Sequence, residues 1–309
     1  MKKPSIIISS CLLGNKVRFD GSGKPHKWVL KKLGPLVNFQ GVCPEMAMGL
    51  GTPREAVRIV KDSEAKTLHL FTSKSGKDLT DEALDVTRRM TEAMDTPDGI
   101  ILMSNSPMCG IKLVKVYESK NMIPHKDGEG FFAAAMMQKF PNAPIIEGFR
   151  LGDAKQREAF LSHVFSLQAF KAEVNSVSTL QAFHRRHKFL LLSYNPKVYR
   201  AMGPLVAGAR KDSLPEVVQN YIILLKDVFQ KGRASAHGSD ALLHLYGFLK
   251  PVLSSPERHE ILNTIEEYRK GFLDFQMPLR LISFLNLKAQ NPYLGEQTIF
   301  APYPKSLSY

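Results

Sequence analysis

The chain opens on a short apolar run that ends at a cysteine, IIISSCLLG, residues 6–14. Three consecutive isoleucines are typical of a strand that is buried on both faces, as in a parallel sheet. Polar residues follow the run too soon for an export signal, so we interpret it as a first strand. The run therefore predicts a buried strand with Cys11 just beyond its carboxyl end.

Strand and helix patterns alternate from this run to about residue 150. The predicted strands are residues 6–8, 36–42, 67–71, 99–103 and 145–146, and the predicted helices are residues 78–94 and 131–140. Alternation of this kind favours an α/β sandwich with a mainly parallel sheet.

From residue 153 onward, periodic apolar segments follow one another with no strand pattern between them. The predicted helices are residues 160–170, 180–192, 217–229, 241–249, 261–272 and 279–287. We interpret Gly203 and Pro204 as a break between helices, and the tail over residues 291–304 as extended. The second half therefore predicts an all-α helical bundle, and we place the two domains at residues 1–172 and 173–309.

The composition is that of a folded protein with an excess of basic residues. Of 309 residues 44% are hydrophobic, and 42 Lys and Arg against 29 Asp and Glu give a net charge of +13. No apolar run is long enough to span a bilayer, so we expect a cytoplasmic location and no membrane partner. The charge favours anionic partners such as nucleotides or RNA, although solubility alone explains it equally well.

The chain has three cysteines, and each of them follows a predicted strand. Cys11 comes after the first strand, Cys43 ends the second, and Cys109 lies in the loop after residues 99–103. In an open parallel sheet, ligands bind in the crevice beyond the carboxyl ends of the strands. Cysteines that are far apart in the sequence can therefore meet at one point.

Spacing alone leaves several roles open for these cysteines. A structural zinc site needs four ligands, often in close CxxC pairs, and the chain has no such pair. Three thiolates would leave one metal coordination position open, as in a catalytic iron–sulfur or zinc site. A redox thiol, or three small buried side chains without a metal, remain as alternatives.

Several segments of the first half resemble the motifs of the thiouracil desulfidase family. The matching segments are CLLGNKVRFDG (residues 11–21), VCPE (42–45), GLGTPR (49–54), NSPMCG (105–110) and EGFRL (147–151). They occur in the family's order and cover roughly residues 5–165.

The second half resembles a helical domain that often accompanies the first one, and this resemblance implies no settled role. The matching segments are FHRRHKF (residues 183–189), GPLVA (203–207), NPY (291–293) and PYP (302–304).

The resemblance implies a [4Fe–4S] cluster held by Cys11, Cys43 and Cys109, with one iron free of cysteine. It also implies non-redox removal of sulfur from thiolated uracil nucleotides, with 4-thiouridine monophosphate yielding UMP and hydrosulfide. In that reaction the substrate sulfur binds the open iron, which acts as a Lewis acid, and a water molecule adds to the ring carbon.

Three residues beside the cysteines are candidates for the reaction itself. Glu45, two residues after Cys43, is the candidate general base, and its alternative role is that of an acid in the first turn of a helix. Ser106 is the candidate donor of a hydrogen bond or proton to the ring, or else a turn residue before a proline. Ser104 is a weaker candidate for the same contact.

Three basic residues in or near the motifs are candidates for binding the phosphate. Arg18 and Arg54 lie inside cysteine-bearing motifs, and arginine binds phosphate through two parallel hydrogen bonds. Either of them can instead form a structural ion pair with Asp20 or Glu55. Lys112, just after the third motif, is a further candidate.

The basic segment at residues 184–188, HRRHK, supports two rival hypotheses. In the first, the helical half binds RNA and the cysteines are structural or sense the redox state. In the second, the enzyme desulfurates thiolated tRNA, with the helical domain docking the tRNA. A solvated helix face with one histidine packed inside is the simpler interpretation of this segment.

Overall fold

The computed structural model describes residues 2–62, 64–118 and 123–307 of the chain, which divides into two units between Arg157 and Glu158. This division lies inside a helix, Ala154–Glu173, at whose C-terminal end the expected domain boundary falls. The boundary after residue 172 stays a prediction. None of the described helices is long and apolar enough to cross a bilayer.

The described part of the first unit is built mainly from strands and short helices. The described strands are β1 Ser5–Ser9, β2 Asn38–Val42, β3 Val57–Lys61, β4 Leu68–Thr72, β5 Gly99–Leu102, β6 Val114–Tyr117, β7 His125–Gly128 and β8 Ile145–Glu147. The helices are α1 Pro44–Ala47, α2 Thr80–Glu92 and α3 Phe131–Lys139.

Strands β2, β1, β5 and β8, in that order, form a fully parallel sheet. The three isoleucines of β1 are completely buried, as the opening run predicts. The chain passes from β1 to β2 on one side and later returns to β5 on the other side of β1. The sheet therefore has a switch point at β1 and β5, where the strand ends of an open α/β sheet leave a crevice for ligands.

Strands β4, β3, β6 and β7 form a second sheet, which is mixed. Only β3 and β6 run parallel, and the outer strands β4 and β7 pair with them antiparallel. The α/β class is confirmed, but three strands of this sheet, β3, β6 and β7, are absent from the sequence prediction. They are short, and they carry charged residues at Arg58, Lys61 and Lys115 where a continuous apolar run would mark a strand.

The second unit is helical throughout, which confirms the predicted bundle. Its helices are α4 Ala154–Glu173, α5 Val177–Tyr194, α6 Pro196–Ala207, α7 Leu214–Phe229, α8 Ser235–Leu249, α9 Ser255–Arg269, α10 Gln276–Ala289 and α11 Pro292–Gly295, of which α4 begins in the first unit.

Two details of the second unit differ from the prediction. Gly203 and Pro204 lie inside helix α6, because Met202 and Val206, one turn apart, keep a buried face through this segment. The tail is not extended: it forms α11 and a 3-10 turn, Thr298–Phe300.

A buried cation stands in the core of the second unit. Arg233 lies between two aromatic rings, with its guanidinium carbon 4.3 Å from the ring centre of Tyr194 and 3.7 Å from that of Phe275. Its Nη1 donates to Oε1 of Glu158 at 2.9 Å. This ion pair with two flanking rings ties α4, α5 and the segment before α10 together.

Candidate active site

All three cysteines line one cavity of about 370 Å³ at the carboxyl ends of the parallel strands. Five of the other residues predicted from the sequence also line it. These are Arg18, Glu45, Arg54, Ser104 and Ser106. Lys112 is exposed and is not among the described residues that line the cavity. The fold thus brings the cysteine motifs together as the strand order predicts, while the roles of these residues stay predictions.

Two of the cysteines are positioned directly by the strands that precede them. Cys11 lies in a 3-10 turn, Ser10–Leu13, that follows β1 and is closed by Gly14. Gly14 has φ +94°, a left-handed conformation that glycine adopts without strain, and its N–H donates to the Cys11 carbonyl at 3.1 Å. Cys43 follows β2 and precedes the first turn of α1.

The loop that carries Cys109 is held by the side chain of Ser106. The Ser106 Oγ accepts hydrogen bonds from the N–H groups of Met108 at 3.2 Å and Cys109 at 3.1 Å. Gly130 packs so closely on this loop that a Cβ there would be 2.5 Å from the Met108 carbonyl oxygen. Since a hydroxyl also has a proton to donate, Ser106 can fix the loop and still offer an O–H to a ligand.

Burial raises the pKa of all three thiols. It raises the pKa of Cys11 to about 11, with a further increase from neighbouring Cys43 that Arg18 opposes. The pKa of Cys43 and that of Cys109 are raised by burial too, and Cys109 also responds to the charges of Cys11 and Cys43. Three thiolates this close and this buried would need a cation to stabilise them together.

The three thiols of the cavity are the donor type that binds iron–sulfur clusters. Among residues 2–62, 64–118 and 123–307, no group of three or more His, Cys, Asp or Glu is arranged to hold one ion. In a [4Fe–4S] cluster each cysteine binds a different iron, so its ligands need not converge on one atom. Three thiols that share a cavity, with Cys11 and Cys43 both acting on the pKa of Cys109, match that chemistry.

Glu45 is fixed by Arg54 rather than standing free. Arg54 donates to the Glu45 Oε2 from Nε at 3.0 Å and also from Nη2. The same guanidinium donates to the carbonyls of Val17 at 2.9 Å and Gly51 at 2.8 Å. Only 5% of the Arg54 side chain and 15% of that of Glu45 are exposed. Arg54 thus forms the structural ion pair that the sequence left open, but with Glu45 instead of Glu55.

Arg18 forms its expected ion pair at the rim of the cavity. Its Nη1 lies 3.6 Å from Asp20 Oδ2 and donates to the Ser22 Oγ at 3.0 Å. About a third of the Arg18 side chain is exposed, so a ligand in the cavity can still reach the guanidinium.

Sequence reasoning missed three basic residues and one tyrosine that line the same cavity. They are Lys24, Arg58, Lys115 and Tyr117. The last three lie on β3 and β6, which the prediction lacked. The signal was present as the β-branched residues of VRIVK, residues 57–61, and as the apolar–polar alternation of VKVY, residues 114–117.

In the basic segment at residues 184–188, one histidine is buried in the core and both arginines form ion pairs. His187 is buried, and its Nδ1 lies 2.9 Å from the Phe183 carbonyl oxygen. Arg185 pairs with a glutamate at 3.1 Å, and Arg186 with another. One histidine packed inside and two neutralised arginines lend no support to RNA binding by this segment.

The fold and the cavity define an α/β protein with a thiol-lined ligand site at the switch point of a parallel sheet. Residues 6–148 match the model of the family described as 2-thiouracil desulfurase. Residues 188–304 match a second family, DUF1722, described as a protein of unknown function. The chain therefore belongs to the 2-thiouracil desulfurase family through its first half and carries a DUF1722 domain in its second.

Individual relatives cover one half of the chain each. The uncharacterized protein YbgA of Escherichia coli is 23% identical over 177 residues, which are 56% of this chain and 95% of that protein. The uncharacterized protein YbbK of Bacillus subtilis is 30% identical over 110 residues, 34% of this chain and 72% of that protein. A solved structure of the [4Fe–4S]-dependent thiouracil desulfidase TudS is 29% identical, with 49% of this chain and 95% of that chain covered and a TM-score of 0.38.

Proposed function

We propose that this protein is a [4Fe–4S]-dependent desulfidase of thiolated uracil nucleotides, which converts 4-thiouridine monophosphate and water into UMP and hydrosulfide. The observation that carries the proposal is that three cysteines and a carboxylate line one cavity in a chain of the 2-thiouracil desulfurase family. The reaction exchanges a carbon–sulfur for a carbon–oxygen double bond, so no electron enters or leaves.

Cys11, Cys43 and Cys109 would hold the cluster. When bound, the cluster supplies a Lewis-acidic iron with a coordination position that no side chain of the protein fills, suited to the soft sulfur of a thiocarbonyl. Cys11 and Cys43 lie just beyond strands of the parallel sheet, and Cys109 lies in the loop after a third strand that Ser106 holds in place.

Glu45 is the general base in this proposal. Its carboxylate lies in the cavity wall two residues after Cys43, and it accepts a proton from the water that attacks the ring carbon. Arg54 holds that carboxylate in one orientation through Nε and Nη2. Because Arg54 is also bound to two main-chain carbonyls, we assign it to positioning Glu45 rather than to binding phosphate.

Ser106, in the lining of the same cavity, is the proton donor in this proposal. Its Oγ accepts two N–H groups, which polarises the hydroxyl and leaves its O–H as a donor. That O–H can donate to the ring as charge develops there, and Ser104 in the same wall stays a candidate for a second contact.

The test is anaerobic purification followed by measurement of iron, acid-labile sulfide and activity. We expect four irons per chain and release of sulfide from 4-thiouridine monophosphate. Cys109→Ala should lose most of the iron and all of the activity, with circular dichroism checking that the variant is folded. A Cys109→Ala variant that retained both full iron content and full activity would end the proposal.

The same assay separates the nucleotide from thiolated tRNA. Turnover of 4-thiouridine monophosphate that exceeds turnover of thiolated tRNA supports the small-molecule substrate. Turnover of thiolated tRNA alone would mean that the substrate is tRNA rather than the mononucleotide.

A further inference from the structure

Two basic residues of the second sheet stand side by side and face the cavity. Strands β3 and β6 are parallel, with Ile59 opposite Val116, so one step back along both strands places Arg58 beside Lys115. Ile59 and Val116 are buried in the core. Since side chains alternate along a strand, Arg58 and Lys115 point away from the face of Ile59 and Val116, and both are among the residues that line the cavity.

Tyr117 belongs to the same patch. It lies two residues after Lys115 on β6 and therefore on the same face of the sheet. The guanidinium carbon of Arg58 is 5.7 Å from the centre of the Tyr117 ring, which is within the range of a cation–π contact. The ring thus supports the guanidinium from one side and adds a phenolic hydroxyl to the patch.

The charges that line the cavity are unequal. Five of its described lining residues are basic and one is acidic, Glu45. Glu45 is paired with Arg54, and Arg18 is paired with Asp20. Lys115 is exposed and has no ion pair with any described residue. The second-sheet wall therefore presents positive charge that the carboxylate in the lining does not offset.

The positive charges of the cavity also divide by location. Arg54 donates to the Val17 carbonyl oxygen, which is 3.8 Å from the Cys43 Sγ, and Arg18 follows Val17 in the chain, so both lie near the thiols. Arg58 and Lys115 stand on the other sheet. The cavity thus has its thiols at the first sheet and two of its five basic lining residues on the second. Its volume lies within the range of about 300–1,000 Å³ that is usual for small-molecule sites.

We propose that Arg58 and Lys115, supported by Tyr117, form the subsite that binds the phosphate group of the nucleotide substrate. The inference rests on the proposed desulfidase function and names the residues that select a nucleotide over a nucleoside. A phosphate dianion is recognised by a guanidinium, which can donate two parallel hydrogen bonds, together with a lysine as a point charge. With the phosphate held at the second sheet, the thiolated ring points toward the cysteines.

The variant Lys115→Met tests the subsite, because it removes the charge and keeps most of the length of the side chain. We expect kcat/KM for 4-thiouridine monophosphate to fall by about tenfold or more, the usual effect of losing one charge-assisted hydrogen bond. We expect kcat/KM for the nucleoside 4-thiouridine to stay within twofold. Arg58→Met should show the same selectivity, and calorimetry should show weaker binding of UMP with unchanged binding of uridine.

Lys61→Met is the matched control, since Lys61 is an exposed lysine of the same strand as Arg58 and is not among the described residues that line the cavity. It should leave both substrates unaffected. If Lys115→Met lowered kcat/KM equally for the nucleotide and the nucleoside, or for neither of them, the proposed subsite would be wrong. A loss of iron from Lys115→Met would overturn it too, because the lysine would then serve to balance the charge of the cluster.

The outcomes keep the two proposals apart. If the wild-type protein desulfurates the nucleoside as efficiently as the nucleotide, the subsite fails while the desulfidase function stands. If neither compound is desulfurated, the proposed function itself fails.

Discussion

Arg54 binds the Glu45 carboxylate and at the same time joins two of the cysteine-bearing segments. Its Nε donates to Glu45 at 3.0 Å, and its Nη2 donates to the Val17 carbonyl at 2.9 Å. Val17 belongs to the segment of Cys11, and the Cys43 Sγ lies 3.8 Å from the same Val17 carbonyl oxygen. One guanidinium therefore fixes the candidate base and the spacing of two cysteines together.

The variant Arg54→Lys tests whether Arg54 acts through its hydrogen bonds or only through its positive charge. A lysine keeps the positive charge but cannot make the planar set of hydrogen bonds. We expect kcat to fall by about ten- to a hundredfold, as is usual when a reacting group is misplaced, with KM changed much less. Steady-state kinetics with iron analysis measures this. Arg88→Lys, at an exposed arginine of α2, is the control and should change nothing. A rise in KM with unchanged kcat would instead favour phosphate binding by Arg54.

Glu45→Gln tests the general base directly. The amide has the same shape but accepts no proton at neutral pH, so we expect kcat to fall by about 10²–10⁴-fold, the usual contribution of general base catalysis. Iron content should equal that of the wild type, because glutamine leaves the cysteines in place. Full activity in this variant would remove Glu45 from the mechanism.

Ser106→Ala should loosen the third cysteine loop. The substitution leaves the N–H groups of Met108 and Cys109 without their acceptor, which costs about 1–3 kcal/mol in a buried position. We expect faster loss of iron in air and a lower melting temperature. Ser106→Thr retains the hydroxyl and should restore both values, and an alanine variant as stable as the wild type would contradict the capping role.

The second unit should lose stability as the pH falls below about 6.5. Burial lowers the pKa of His163 to about 3 and that of His187 to about 3, while both histidines titrate near 6.5 in the unfolded chain. A lowered pKa of a base means that the unfolded state binds protons first, so each histidine costs about 2 kcal/mol of stability between pH 7 and pH 5. Urea unfolding at the two pH values measures the loss.

The variant His163→Phe checks the contribution of one histidine. His163 stacks on Phe229 with ring centres 5.3 Å apart, so a phenyl ring fits the same contact. The pH dependence should shrink by about 2 kcal/mol over that interval, the contribution of one such group. His259→Gln, at an exposed histidine, should leave the pH dependence unchanged. If the free energy of unfolding of His163→Phe depended on pH as in the wild type, groups other than His163 would be responsible for the pH dependence.

Arg233→Met should strongly destabilise the helical unit, because it leaves Glu158 partly buried without its cation. Breaking one side of a buried ion pair costs about 3–5 kcal/mol. The double variant with Glu158→Gln should recover part of this loss, since the unpaired charge is then gone. Chemical unfolding of the two variants provides the comparison, and a double variant no more stable than the single one would place the effect in the aromatic contacts instead.

The sequence predicts the parallel sheet and the meeting of the cysteines because both follow from buried strands and their ends. Ile6, Ile7 and Ile8 have an unbroken apolar pattern that leaves no other interpretation of the first strand. Cys11, Cys43 and Cys109 follow three neighbouring strands of that sheet, so strand order alone brings them to one cavity.

The basic residues of the cavity could not be chosen from the sequence because strand register decides which of them face inward. Lys112 and Lys115 are three residues apart, but only Lys115 is among the described residues of the cavity lining. Leu113 between them has φ +60°, a left-handed conformation that redirects the backbone just before β6. The pairing of Arg54 with Glu45 likewise depends on a fold of the segment after α1 that no local pattern specifies.

The central position of β1 in the parallel sheet determines when the cysteine site can assemble during folding. β1 pairs with β2 on one side and with β5, more than ninety residues later, on the other. The thiols therefore gather only after these long-range pairings have formed, unlike in a zinc finger, whose metal drives the folding of a short peptide. The proposed cluster would then be delivered to an already folded apoprotein, after synthesis of the whole first unit, and it would have to reach the sulfur atoms through the open mouth of the crevice.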